Sequence, residues 1–243
     1  MDIEQKSVLI TGANRGIGRA LVIEALKRGA RRVYAGTRGG FDIDDARVTG
    51  IALDVTSGPQ IAAAAAAIAD LDILINNAGV ATYGTDIGNF DAIEQHLAVN
   101  LFGMLNVSRA FLPPLRRSRG ALVNQLSLAA IASVPVMPAY SVSKAAALSL
   151  TQGLRAYLGP EGVTVHSVLL GPIDTDMVRD LALPKTPADE AARGIFDGLA
   201  AGEEDIFPDP ASRPVAAGWR DGVAKTLEQQ FRAFVPANSA QAA

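Results

Sequence analysis

The sequence has no cysteine among its 243 residues, which removes disulfides and thiolate metal sites from consideration. Aromatic residues are scarce at 5%, against 49% hydrophobic overall, so the apolar content is carried by small and aliphatic side chains. That balance suits close packing of helices on a sheet. No apolar run approaches the roughly 20 residues that span a bilayer. There is no basic excess either: the net charge is −3, and nucleic acid is gripped by a cationic face. Residues 1–6 are charged and lead straight into a short apolar run, without the basic, apolar and small-residue order of a signal peptide. The absences define an expectation: a cytoplasmic protein with no metal, no nucleic acid and no membrane among its partners.

What is present is a rhythm. Short apolar runs at 7–11, 32–36, 48–54, 71–76, 120–126, 163–169 and 205–207 read as strands. Helical spacing or propensity covers 16–28, 62–67, 90–112 and 141–158. A further helix is expected from Thr186-Pro187, read as an N-cap followed by proline at the first helical position, toward Leu199. Strands that are apolar throughout are buried on both faces, as in a parallel sheet between two helical layers. The alternation therefore predicts one α/β domain, doubly wound and Rossmann-type, over residues 1–235. Residues 236–243, small and polar, read as a loose tail.

The turn after the first run reads Thr11-Gly12-Ala13-Asn14-Arg15-Gly16-Ile17-Gly18. Glycine permits a sharp turn and lets a pyrophosphate approach the backbone, and the helix that follows directs its positive end at the phosphates. The same glycines are also compatible with a tight junction that holds no ligand. An acidic residue at the end of the second strand would bind the ribose hydroxyls of NAD. Here the strand leaves through Gly36-Thr37-Arg38, with no carboxylate until Asp42. Arg15 and Arg38 together could clamp a 2′-phosphate, so NADP(H) is favoured over NAD(H), unless both arginines are solvated surface charges.

Tyr140-Ser141-Val142-Ser143-Lys144 begins a helical stretch, and residues four apart share a helix face. A lysine ammonium beside a tyrosine favours the phenolate and lowers the phenol pKa, which suits proton transfer to or from an alcohol oxygen. Alone, the pair is equally a half-exposed tyrosine beside a solvated lysine. It is accompanied by Ser127 at the end of a strand, where a hydroxyl would face a ligand beyond the carboxyl edge of the sheet. Asn76-Asn77-Ala78-Gly79 closes another strand, and Asn100 stands inside a helical stretch, where asparagine needs a partner.

In these motifs, nearly the whole chain resembles the short-chain dehydrogenase/reductase family in its compact form. The resemblance implies a cofactor loop running through Thr11, Gly12, Asn14, Arg15, Gly16, Ile17 and Gly18. Thr37 and Arg38 would follow at the ribose, Asp54-Val55 at the adenine, and Asn77, Ala78 and Gly79 along the cofactor. Gly171, Ile173 and Thr175 would close the nicotinamide side. Ser127, Tyr140 and Lys144 would form the catalytic group, with Lys144 also on the nicotinamide ribose and Asn100 in a water relay to Lys144. Two positions depart from the family pattern: Leu170-Gly171-Pro172 replaces the usual Pro-Gly, and Leu126 stands where many relatives carry serine.

The resulting expectation is an NADP(H)-dependent carbonyl reductase acting on a small carbonyl or alcohol substrate. Leu128, Ala129, Val134, Val136, Met137, Ile173, Met177, Leu181 and Leu183 would line an apolar pocket, with Arg179 as the one cation in reach. Alternatives are a 3-oxoacyl thioester reductase, nucleotide-sugar chemistry on the same fold, and a catalytically silent dinucleotide-binding regulator. The stretches 97–112 and 141–158 are rich in alanine and leucine, and the family resemblance places both at a subunit contact, which implies a homotetramer or homodimer.

Overall fold

Ser7–Thr11, Ile73–Asn76 and Ala121–Gln125 are buried at every position. A strand with no exposed side must be covered on both faces, which forces helical crossovers and parallel pairing. The computed structural model describes residues 1–235; the tail expected over 236–243 lies outside the described residues. Seven strands, β1 (Ser7–Thr11), β2 (Arg32–Thr37), β3 (Val48–Ala52), β4 (Ile73–Asn76), β5 (Ala121–Gln125), β6 (Thr164–Val168) and β7 (Asp205–Ile206), form a single parallel sheet. Their order is β3-β2-β1-β4-β5-β6-β7. The chain winds outward from β1 to β3, then restarts on the other side at β4. The loops after β1 and β4 therefore part, opening a crevice at the carboxyl edge.

One layer is built from α1 (Gly16–Lys27) and α6 (Ala188–Ala200), whose Leu21, Val22, Ile195 and Phe196 pack on Val8, Ile10, Ile75 and Val123. The other layer contains α2 (Gly58–Ala67), α3 (Phe90–Leu97), α4 (Met104–Ser118) and α5 (Pro138–Leu158). Val107, Phe111 and Leu115 of α4 meet Leu74 and Leu122 there. Alternation along the strands sends Ile75 and Val123 to the first layer, and Leu74 and Leu122 to the second.

Several boundaries differ from the sequence reading. The stretch expected over 90–112 is one continuous rod, interrupted by a π-helical turn at Ala98–Gly103 and extended to Ser118. Pro113 and Pro114 lie inside it, and burial of Pro114 and Leu115 holds the last turn helical despite two missing N–H donors. Thr186 is not the cap of α6: that position belongs to Pro187. Thr186 instead bridges in parallel to Ile173, its amide donating to Pro172 O at 3.0 Å. Two helices close the described chain, α7 (Arg213–Arg220) and α8 (Val223–Phe231).

Candidate active site

Thr11 is buried, and its hydroxyl accepts from the amides of Asn77 (3.0 Å) and Ala78 (2.9 Å), tying the first loop to the end of β4. The Asn77 amide group donates back to Thr11 O (2.8 Å) and Gly12 O (3.1 Å). Gly12 has φ +66°, and a Cβ there would lie 2.9 Å from Ala78 Cα. A Cβ at Gly18 would fall 2.1 Å from Gly12 O. Both positions therefore demand glycine, and the result is a backbone cradle at the start of α1. No side chain caps α1, so its first-turn N–H groups remain for an anion. The uncapped amides at the start of α1 are the donor set that a diphosphate would need.

The remaining expected cofactor positions are distributed around the crevice. Asn14 and Arg15 are exposed, whereas Ile17 packs partly into the core. Arg15 Nη1 lies 3.1 Å from Asp176 Oδ2, so it reaches the segment after Thr175 and is not paired with Arg38. Arg38, also exposed, lies close enough to Asp54 to help hold that carboxyl below its ordinary range; hydrogen bonds from Thr56 act more strongly. Asp42 is engaged by Arg19. Thr37 is buried and donates to Gly39 O, while Val55 packs into the second layer. Thr175 meets the first loop at Gly16, where a Cβ would come 3.1 Å from Thr175 Cγ2. Ile173 is buried.

Ser127 follows the end of β5 in extended conformation, and its Oγ accepts from Ala129 N at 3.1 Å. Tyr140 and Lys144 both lie in the first two turns of α5. The Lys144 Nζ is 5.6 Å from the centre of the Tyr140 ring and donates to Gln125 O at 2.7 Å. The three side chains thus converge at the carboxyl edge beside the glycine loop. The expected direction of the Tyr140 shift is reversed. Its close surroundings push the phenol up to about 12, although a hydrogen bond with Ser127 opposes this. Burial acts on Lys144 as well, lowering its ammonium to about 8. Desolvation disfavours the charged form of both groups.

Asn100 explains its place inside a helical rod. It lies in the π-helical turn, and its amide is engaged on both sides: Oδ1 accepts from Val80 N, and Nδ2 donates to Val80 O and Ser143 Oγ, each at 2.9 Å. Ser143 Oγ donates to Tyr140 O at 2.7 Å. Asn100 thereby connects the loop after β4 to the helix that carries Tyr140. Beside Gly79, a Cβ would sit 3.1 Å from Asn100 Oδ1 and 3.9 Å from Lys144 Nζ, so both polar groups border one small space.

Two further residues enter the site that the sequence reading did not single out. The Gln125 Nε2 donates to Asn77 Oδ1 at 2.8 Å. Its signal was a pair of adjacent amides, Asn124 and Gln125, in an otherwise apolar run. Asp209, fully buried, accepts from Gly171 N (2.9 Å), Ala211 N (3.0 Å) and Ser212 N (3.1 Å). It anchors the Leu170-Gly171-Pro172 loop that departs from the family pattern. No local pattern announces a partner 38 residues downstream.

The crevice and its polar group together define a Rossmann-type oxidoreductase. A family model described as short chain dehydrogenase matches residues 6–185. The chain is 37% identical to the short chain dehydrogenase pigC of Monascus ruber, over 85% of this chain and 70% of that protein. It superposes with a TM-score of 0.86 on a short chain dehydrogenase from Burkholderia cenocepacia crystallised in complex with NADP. Identity there is 38%, covering 95% of this chain and 98% of the other. A short-chain dehydrogenase from Streptomyces avermitilis matches with a TM-score of 0.79 at 26% identity, covering 95% and 97%. The chain belongs to the short chain dehydrogenase family of oxidoreductases.

Proposed function

We propose that this protein is an NADP(H)-dependent carbonyl reductase for an uncharged, largely apolar ketone or aldehyde. The observation that carries the reading is the convergence of Ser127, Tyr140 and Lys144 beside the glycine cradle. When bound in the crevice, NADP(H) supplies the hydride. The Ser127 hydroxyl orients the substrate oxygen, and Tyr140 gives it the phenolic proton. A phenol raised to about 12 keeps that proton throughout the neutral range, which favours Tyr140 as the acid of a reduction. Lys144, lowered to about 8, holds the proton store next to it and a donor for the nicotinamide ribose. The first-turn amides of α1 bind the diphosphate, and Arg15 and Arg38 bind the 2′-phosphate. Arg15 exchanges Asp176 for it readily, since an exposed ion pair is worth at most about 1 kcal/mol. The NADP complex of the Burkholderia cenocepacia relative supports this cofactor.

Several observations favour an apolar substrate. Tyr83, Val136, Met177 and Leu183 expose hydrophobic surface. Three segments that carry these residues meet: Tyr83 Oη donates to Met177 O at 3.3 Å, and Gly84 N to Val136 O at 3.1 Å. The cations of the third segment are already engaged, Arg179 with Asp176 and Lys185 with Arg179 O. A buried substrate carboxylate would need a buried cationic partner, and Arg179 is a largely exposed side chain. The deciding experiment follows NADPH absorbance with an aryl ketone, a short keto acid and an acyl thioester side by side. Turnover of the aryl ketone with the highest kcat/KM is expected. Reaction of the keto acid alone refutes the apolar reading, preference for the thioester moves the assignment to 3-oxoacyl chemistry, and binding without turnover makes the protein a regulator.

A further inference from the structure

Leu169 N donates to Ile206 O at 2.8 Å, the last backbone rung between β6 and β7. A parallel ladder advances two residues on each strand, so its next rung would join Gly171 N to Pro208 O. Pro208 O is instead taken by Arg213 Nη2 at 3.0 Å, and Gly171 N donates to Asp209 Oδ2 at 2.9 Å. A buried side chain thus continues the sheet where the backbone stops. Both oxygens of that carboxyl accept: Oδ1 from Ala211 N and Ser212 N, Oδ2 from Gly171 N and Ser212 Oγ (2.8 Å). Three of these four bonds close the local turn; only the one from Gly171 ties it to another segment. Residue 171 must be glycine for this approach, since a Cβ there would lie 2.6 Å from Asp209 Oδ1.

The N–H of Gly171 and the C=O of Leu170 belong to one rigid peptide plane, so holding the first aims the second. Leu170 O accepts from Leu128 N at 2.9 Å, and Leu126 N donates to Val168 O at 2.8 Å. Ser127 is therefore flanked on both sides by bonds to the segment that Asp209 holds. Beyond Gly171, Pro172 O and Asp174 N pair with Thr186 at 3.0 and 2.8 Å, and Thr175 then meets the glycine loop at Gly16. The fixed plane lies between the serine beside Tyr140 and the threonine beside the cradle.

We propose that Asp209 is a positioning residue for hydride transfer, placing Ser127 and Thr175 by fixing the Leu170–Gly171 peptide. The inference rests on the carbonyl-reductase reading above, and its test has one arm that needs no turnover. Asp209→Asn keeps the shape of the side chain. Its amide oxygen can serve the Ala211 and Ser212 amides, which sets an NH2 group against the Gly171 N–H. Ser212→Ala is the matched control, deleting a different bond of the same carboxyl. Amide hydrogen exchange is followed in the unliganded proteins over residues 126–130 and 169–176. Single-turnover oxidation of NADPH by an aryl ketone is measured beside titration with 2′,5′-ADP, which reports the adenosine end alone. Asp209→Asn is expected to speed exchange in both segments about tenfold and to slow the single turnover by about 10–10²-fold, with the Kd for 2′,5′-ADP unchanged. Ser212→Ala is expected to leave both exchange and rate near wild type. An unchanged rate in Asp209→Asn, or an equal loss in both variants, reduces Asp209 to a turn former and overturns the proposal. Loss of 2′,5′-ADP binding together with rate shows damage beyond this edge and overturns it too. Asp209→Ser, whose shorter side chain still closes the turn, replaces the asparagine variant if that does not fold. Wild-type protein that binds 2′,5′-ADP but consumes no NADPH with any carbonyl refutes the function reading and takes the positioning role with it, whatever the exchange arm shows of the tether.

Discussion

At the scale of single residues, the site is dominated by desolvation. Tyr140 is shifted to about 12 and Lys144 to about 8, each toward its neutral form. Tyr140→Phe keeps the ring volume and deletes the proton, so it is expected to fold and to bind NADPH while kcat falls by about 10²–10⁴. Near-normal turnover would remove Tyr140 from the acid role. Lys144 also makes stability depend on pH. Between pH 8 and 10.5 the unfolded lysine retains a proton that the folded one has released, so the folded state gains stability as pH rises through that window. Below pH 8 the burial cost is present in full. Lys144→Met removes this dependence. Its stability relative to wild type, by urea denaturation at pH 7 and pH 10, is expected to fall by roughly 2 kcal/mol on going to the higher pH. A constant difference would show that the lysine keeps its ordinary pKa in the fold.

At the scale of elements, the carboxyl-terminal helices are held by charge. Arg155 of α5 pairs with Asp205 of β7 at 2.9 Å and with Glu228 of α8. Lys225 of α8 reaches Asp205 (2.6 Å), Glu204 (2.9 Å) and Glu228 (3.0 Å), and Trp219 of α7 donates to Asp205 at 2.9 Å. Burial works to raise Asp205, but Arg155 and Lys225 overcome it and hold the carboxyl well below the usual range. Arg232 holds Glu204 near 2. Removing one partner from such a buried network leaves an uncompensated charge. Lys225→Met is therefore expected to cost about 3–5 kcal/mol in denaturant unfolding, and an unchanged midpoint would show the network to be dispensable. The contribution of the depressed carboxyls is present above about pH 4 and is lost as pH falls toward 2.

For the whole molecule, one topological feature creates the site: the restart of the chain at β4 next to β1. It brings the glycine loop, Asn77 and α5 to one edge, although they are far apart in sequence. The remaining surface of α5 and the π-helical turn exposes Phe102 (53%), Val142 (41%) and Tyr157 (55%). Apolar side chains exposed in this way on helical faces support the proposal of a homodimer or homotetramer. Light scattering at micromolar concentration is expected to give a multiple of the 25.3 kDa chain mass, and a particle of single-chain mass would reject assembly.

The order of strands and helices was legible in the sequence because uniformly apolar runs have few other fates than a doubly covered parallel sheet. The cradle was legible too, since Gly12 and Gly18 stand where any Cβ would collide with backbone. Helix ends were less so: the rod through Pro113 and Pro114 continues because burial outweighs local propensity, and Thr186 is drawn from capping into a bridge with Ile173. The sign of the Tyr140 shift depends on how much matter surrounds the phenol, a quantity that spacing along a helix does not contain. The contacts of Gln125 with Asn77 and of Asp209 with Gly171 were likewise beyond the sequence, because they join strands and loops 38 or more residues apart. Local chemistry is written along the chain, whereas desolvation and cross-strand hydrogen bonding exist only once the sheet has closed, and these determine how the site holds its protons.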